Sequence, residues 1–219
     1  MLVKDYMTRH PLMAPPTMSV VEAQRYMVQN SIRHLPIIEQ GKRLTGLVTR
    51  QRLLIQPATL GSLNVWEITR FLSDLTVGHV MVKAQDVITI EADATIEEAA
   101  RVMVKNKIGC LPVLEGGIVV GIITETDLLA QLAEMMAGQV PVPYVRVTVR
   151  MPNVRGELAK LVGAIGAQGW GILTCGGAPS PKDSTQWDAV LKISYVTREQ
   201  VIPVLEQVEG QEIVDVREM

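Results

Sequence analysis

The sequence predicts an α+β chain in two parts: a duplicated β-α-β-β-α unit, then a β-α-β-β-α-β unit. Three observations predict it. The runs Gly46-Leu47-Val48-Thr49-Arg50-Gln51-Arg52-Leu53-Leu54 and Gly121-Ile122-Ile123-Thr124-Glu125-Thr126-Asp127-Leu128-Leu129 are two copies of one turn, a buried strand that stops at threonine and becomes a helix. Ser19 to Val28 aligns with Thr95 to Val104 at a shift of 76, so the duplication extends well beyond that turn. After residue 138 the repeat ends, and Val145, Val147 and Val149 alternate with Arg146, Thr148 and Arg150, the period of a half-buried strand.

In chain order, each copy opens its helix with a capping box, Ser19-x-x-Glu22 and Thr95-x-x-Glu98, whose side chains satisfy free amides at a helix start. Val20, Ala23, Met27 and Val28 then match Ile96, Ala99, Met103 and Val104 as an apolar face. The strand Ile32-Arg33-His34-Leu35-Pro36-Ile37-Ile38 matches Ile108-Gly109-Cys110-Leu111-Pro112-Val113-Leu114, each with a proline near its start, where no ladder donor is needed. A turn containing Gly41, or Gly116-Gly117, leads into the strand that ends at the threonine. A three-stranded unit of roughly 50 residues is marginal alone. Two back to back bury their faces and leave pseudo-equivalent clefts between them. The expected boundaries are residues 1–60 and 77–138 for the copies, with a bridging helix over 61–76 whose Val65, Ile68, Leu72 and Leu75 share a face and whose Trp66 and Phe71 lie off it. A proline-marked linker is expected over 139–143 and the last domain over 144–219. There, a helix from Gly156 to Gln168 with Leu158, Leu161, Val162 and Ile165 on one face is expected. A strand from Ile172 to Cys175 follows, then a flexible loop over Gly176 to Pro181, a strand over Ala189 to Tyr195, a helix from Arg198 to Val208 and a strand from Ile213 to Val216. That order is ferredoxin-like.

A content of 47% hydrophobic and 20% charged residues is ordinary for a globular chain. A net charge of -2 gives no electrostatic reason to expect nucleic acid or an anionic membrane as partner. No apolar run is long enough to span a bilayer, and Met1-Leu2-Val3-Lys4-Asp5-Tyr6 is unlike a signal peptide. Cys110 and Cys175 are not paired in a C-x-x-C motif, so reduced thiols and a cytoplasmic location are expected. His10, His34 and His79 are spread out, without metal-ligand spacing, and no Walker-type loop, G-x-G-x-x-G or nucleophile elbow occurs, so neither metal nor catalysis is expected. Cys110 beside Leu111-Pro112 reads as a small buried packer rather than a nucleophile.

Asp127 is where chemistry can enter. A carboxylate in the first helical turn is favoured by the free amides there and can accept both hydroxyls of a ribose. Thr124 adds a hydroxyl beside amides suited to phosphate. Thr124-x-x-Asp127 is also a plain helix cap, and both readings stay open from this segment. Arg52 stands at the matching place in the first copy, so the acid is optional for the fold.

These residues carry a family resemblance. Met7-Thr8-x-x-Pro11, Leu35-Pro36 and Gly46-Leu47-Val48-Thr49, with Ile108 to Val113 and the full run ending at Asp127, resemble a tandem pair of CBS domains, a Bateman module. Asn153-Val154-Arg155-Gly156-Glu157-Leu158 resembles the Asp-Arg-Pro-Gly-Glu-Leu of ACT domains, and the order is similar to the acetoin-utilisation type of CBS–ACT regulatory protein. The resemblance implies an adenosine-containing ligand (AMP, ADP or ATP, with S-adenosylmethionine also in the class) held by Thr124, Asp127, Thr8, Pro11, Met13, Ile32, Arg33 and His34. It implies a second, atypical cleft of Thr49, Arg52, Val82, Ile88, Ile108, Gly109 and Cys110, in which Arg52 offers a diol no acceptor. It also implies an amino-acid site at Asn153, Arg155 and Gly156, although Asn153 replaces the common Asp, Arg155 the common Pro, and Gly171 the frequent Asn. The expected protein is a non-catalytic homodimeric sensor acting on an unidentified regulated protein. The alternative is an amino-acid sensor whose CBS pair is a dimerisation scaffold.

Overall fold

The computed structural model describes residues 1–53, 75–137 and 142–219. The expected bridging helix, with Trp66 and Phe71, lies outside the described residues except for Leu75 and Thr76, as do the helix expected to close the first copy beyond Leu53 and most of the 139–143 linker. The chain forms two compact units, Met1–Ala130 and Gln131–Met219.

In the first copy lie α1 (Val3–Tyr6), β1 (Thr8–Arg9), α2 (Val20–Gln29), β2 (His34–Glu39) and β3 (Arg43–Thr49). The second has α3 (Val77–Val80), β4 (Val82–Lys83), β5 (Ile90–Glu91), α4 (Ile96–Asn106), β6 (Cys110–Glu115), β7 (Ile118–Thr124) and α5 (Glu125–Ala137). The N-caps form as the sequence implies: Ser19 accepts from the Glu22 amide and Thr95 from the Glu98 amide, each at 3.1 Å. Val20, Ala23, Met27 and Ile96, Ala99, Met103 are buried. Val28 and Val104, expected on the same faces, are 60% and 80% exposed, because eight residues at 100° each carry them off the stripe begun at Val20 and Ile96.

The copies are interleaved. β1 pairs antiparallel with β7, Thr8 opposite Ile122, and β4 pairs with β3, Leu47 opposite Val82. Val3 is fully buried in the core of the second copy, with Ile96, Met103, Leu111 and Ile123. Val77 is fully buried in the core of the first, with Val20, Met27, Leu35 and Val48. Each burial is worth about 1.5–3 kcal/mol. The expected first copy at 1–60 therefore differs from its spatial unit: its leading residues complete the second copy. The crossing is close, and a Cβ on Gly46 would strike the Met81 side chain, as one on Gly121 would strike Met7.

The second unit runs β8 (Tyr144–Pro152), α6 (Glu157–Ala167), β9 (Gly171–Pro179), β10 (Gln186–Ser194), α7 (Arg198–Leu205) and β11 (Glu212–Glu218). Its sheet is antiparallel in the order β11-β8-β10-β9, the arrangement expected of a ferredoxin-like unit. Val145, Val147, Val149 and Met151 meet Leu161, Ile165 and Leu191 in one core, while Leu158 and Val162, expected on that helix face, are 41% and 36% exposed. The stretch expected as a loop from Gly176 is strand through Pro179: Gly176 pairs with Val190 and Gly177 with Ala189. Gly177 lets Trp187 lie against the strand, since a Cβ there would meet its ring and the Asp188 carbonyl.

Candidate functional site

β7 runs out at Thr124 and α5 begins at the next residue, so Thr124 is the N-cap and Asp127 the third helical position. The Asp127 Oδ2 accepts from the Thr124 amide at 2.8 Å and from the Thr124 hydroxyl at 2.7 Å, and the Asp127 amide reaches Thr124 Oγ1 at 3.4 Å. This is a capping box with aspartate as its acid. Oδ1 makes no hydrogen bond among the described residues. The carboxylate thus caps its helix with one oxygen, and Asp127 also lines the adjoining cavity.

That cavity, about 470 Å³, lies between the copies. Of the residues expected in this cleft, Thr8, Pro11, Ile32, Arg33, His34, Thr124 and Asp127 line it. The β1–β7 pairing carries Thr8 there from the far end of the sequence. Met13 is not among the lining residues. His10 and Leu12, from the preceding turn, take that edge, with Met13 half-buried beyond them. The sequence reading also missed Ser31, Ile122 and Thr126. Thr126 had a signal in its place between Thr124 and Asp127. Ile122 had none, since its role depends on the partner strand.

A second cavity of about 630 Å³ sits on the other side of the same pair. Thr49, Val82, Ile88, Ile108, Gly109 and Cys110 line it as expected by resemblance, but Arg52 does not; Arg50 and Gln51 take its place. Thr49 Oγ1 accepts from the Arg52 amide at 3.4 Å, and the turn that follows is a 3-10 helix, Arg50–Leu53. Leu53 is buried in the core. At about three residues per turn, burying Leu53 sends its neighbour Arg52 to solvent. Lys107, Asp86 and Glu125 add charge to this cleft.

Arg33 and His34 line both cavities. The Arg33 Nη2 donates to Thr126 Oγ1 at 3.1 Å, a bond from the first copy to the start of α5. Burial, and then the charge of Arg33, hold the His34 imidazole below its ordinary value, while Glu125 opposes them. Burial, and then Glu125, push the Cys110 thiol up to about 12, so it is protonated at neutral pH and no nucleophile. Among the described residues no three His, Cys, Asp or Glu side chains are placed to hold a metal ion.

In the second unit Asn153, Arg155 and Gly156 lie between β8 and α6. The Asn153 amide donates to Thr185 O at 2.8 Å and its Nδ2 to Ser184 O at 3.2 Å, tying it to the turn before β10. Gly156 caps α6 at φ +94°, a conformation that glycine adopts without strain. Glu157 behind it is buried, and its pKa is lowered by the hydrogen bond from Lys160 at 2.6 Å and that from Gln211.

A sequence profile of the CBS domain matches residues 3–57 and 77–134, just over half of the 219 residues. The chain belongs to the CBS domain family. Protein MJ1225 of Methanocaldococcus jannaschii is 31% identical over 133 residues, 60% of this chain and 47% of that one, and its crystal structure superposes with a TM-score of 0.50. A Vibrio cholerae protein provisionally assigned to acetoin utilization (AcuB) is 33% identical, with a TM-score of 0.51 over 61% of this chain and 91% of that one. CBSX2, solved in complex with AMP, is 26% identical, with a TM-score of 0.51 over 61% of this chain and 97% of that one. The chain spans under half the length of MJ1225, and 22% and 23% of two other curated relatives. No helix among the described residues is long and apolar enough to cross a membrane.

Proposed function

We propose that this CBS pair is a non-catalytic sensor that holds an adenosine-containing ligand, AMP, ADP or ATP, in the cleft of Asp127. The observation that carries the reading is the divided carboxylate: Oδ2 is spent on the cap, and Oδ1 is uncommitted beside a cavity of about 470 Å³, a size suited to a small molecule. Oδ1, with its two lone pairs, accepts the ribose hydroxyls. Ile32 and Pro11 give the base an apolar seat, Thr8 and Thr124 supply hydroxyls, and Arg33 and His34 face the phosphate. The AMP bound to CBSX2 supports the ligand class.

The remaining assignments rest on this one. The second unit is ACT-like and serves dimerisation, and the protein works as a cytoplasmic homodimer that passes its ligand state to another protein. A ligand does so only as far as it prefers one arrangement of the CBS pair over another. The test is calorimetry of the full chain with AMP. Asp127→Ala is expected to weaken binding by about 10- to 100-fold, the loss of hydrogen bonds to a charged acceptor. Circular dichroism of the variant verifies that losing the cap has not unfolded it. An unchanged affinity would remove Asp127 from the ligand.

A further inference from the structure

The sheet of the second unit carries a charge imbalance on the face away from its helices. Val145 and Val147 of β8, Leu191 and Ile193 of β10 and Val216 of β11 pack into the core, so Arg146, Lys192 and Arg217 between and beside them stand on the opposite face. The register sets Arg146 directly opposite Lys192 on one side and Arg217 on the other. One rung of the sheet thus holds three cations on adjacent strands, each about 4.8 Å from the next. Like charges placed opposite one another destabilise a sheet. Elsewhere the same face avoids this: Arg150 lies opposite Asp188 and binds it at 2.7 and 2.9 Å. In the three-cation rung one acid answers. Asp215 takes Arg146 at 3.2 Å and Arg217 at 2.9 Å. Among the described residues no carboxylate pairs with Lys192, which is 5% exposed and has its ammonium 4.8 Å from the centre of the Tyr144 ring. A buried charge without a counter-charge is costly, and the ring offsets only part of that cost.

We propose that this rung is a docking surface for an acidic segment of another protein, whose carboxylates supply the negative charge that the rung lacks. Arg217, with its side chain 68% exposed, makes the outer contact. Lys192, shielded from solvent, acts through a field that salt screens little. The surface is a sheet face rather than a cavity, which suits an extended chain better than a small molecule. A second copy of this chain fits it poorly, since a two-fold axis through the rung would set the cations against themselves. A nucleic-acid backbone also fits less well, because Asp188 and Asp215 on the same face would meet its phosphates. The surface lies within the second unit and does not depend on the nucleotide reading of the Asp127 cleft.

Fluorescence anisotropy of a labelled hexaglutamate peptide with the full chain at low ionic strength tests this, beside a labelled hexathymidylate oligonucleotide. Hexaglutamate is expected to bind, and the oligonucleotide to bind more weakly. Lys192→Met is expected to weaken the peptide by about tenfold, as for loss of a shielded charge, and Arg217→Gln by about three- to fivefold, as for an exposed one. Lys182→Gln removes the same charge from the exposed turn before β10 and should leave the peptide within about twofold. Arg217 touches no core residue, so its variant decides the matter even if Lys192→Met fails to fold. No binding of hexaglutamate, binding that Arg217→Gln leaves unmoved, an equal loss in Lys182→Gln, or hexathymidylate held as tightly as the peptide would each overturn the assignment.

Discussion

The turns at Thr49 and Thr124 begin alike and end differently. At Thr124 the box closes: the hydroxyl faces the Asp127 amide and the carboxylate returns to the Thr124 amide. At Thr49 the hydroxyl reaches the Arg52 amide, no acid answers, and the chain turns as a 3-10 helix over Arg50–Leu53. The strand still ends on the same threonine and Leu53 still reaches its core. The acid refines the turn without being required for it. What singles out Asp127 is therefore the cavity beside it, and the two copies share a frame while dividing the chemistry.

The largest expected effect probes the frame. A Cβ on Gly46 would lie 2.5 Å from the carbonyl oxygen of Val82 as well as against Met81, whereas on Gly121 its three nearest atoms all belong to the Met7 side chain. A methionine can change rotamer; a carbonyl held in the β3–β4 pairing cannot. Gly46→Ala should thus cost about 3 kcal/mol and Gly121→Ala about 1 kcal/mol, read from urea unfolding of the full chain. Equal losses would mean that the two crossings yield alike.

A smaller effect would make the turns more alike. Arg52→Asp supplies the missing acid three residues after Thr49, where it can accept the Thr49 amide and face the helix start. A gain of about 0.5–1 kcal/mol is expected by urea unfolding. A loss would show that Arg52 contributes something its exposed position does not reveal.

What the sequence made legible is whatever depends on neighbours along the chain. The caps at Ser19 and Thr95, the buried triplets of α2 and α4, and the alternation of β8 follow from spacing alone. What it hid depends on pairing at a distance. Nothing around Val3 says that it fills the core of the second copy, and nothing around Ile122 says that Thr8 will lie opposite. The resemblance puts Arg52 in the second cleft because it matches Asp127, but the turn after Thr49 is a 3-10 helix, and Arg50 and Gln51 line that cavity in its place. Gly176 and Gly177 looked like loop because glycine usually punctuates, yet they pair in β9 beside Trp187.

The smallest effect separates His34 from its counterpart Cys110. Both sit at the start of a Leu-Pro strand, but burial moves them in opposite directions, the imidazole down and the thiol up. His34 is held below its usual 6.5 by burial and by Arg33, so the folded chain takes up this proton less readily than the unfolded one. Its contribution to stability is complete above pH 6.5 and is lost as pH falls from there through the lower folded value. Cys110, pushed up to about 12 by burial and Glu125, stays protonated throughout that range and adds no slope. Acidification below pH 6.5 should therefore destabilise the wild type more than His34→Gln, and Cys110→Ser should leave the difference between the two pH values unchanged. Urea unfolding at pH 7.5 and 5.5 measures all three. Parallel losses in wild type and His34→Gln would mean that the imidazole between the clefts is as free to take a proton in the folded chain as in the unfolded one.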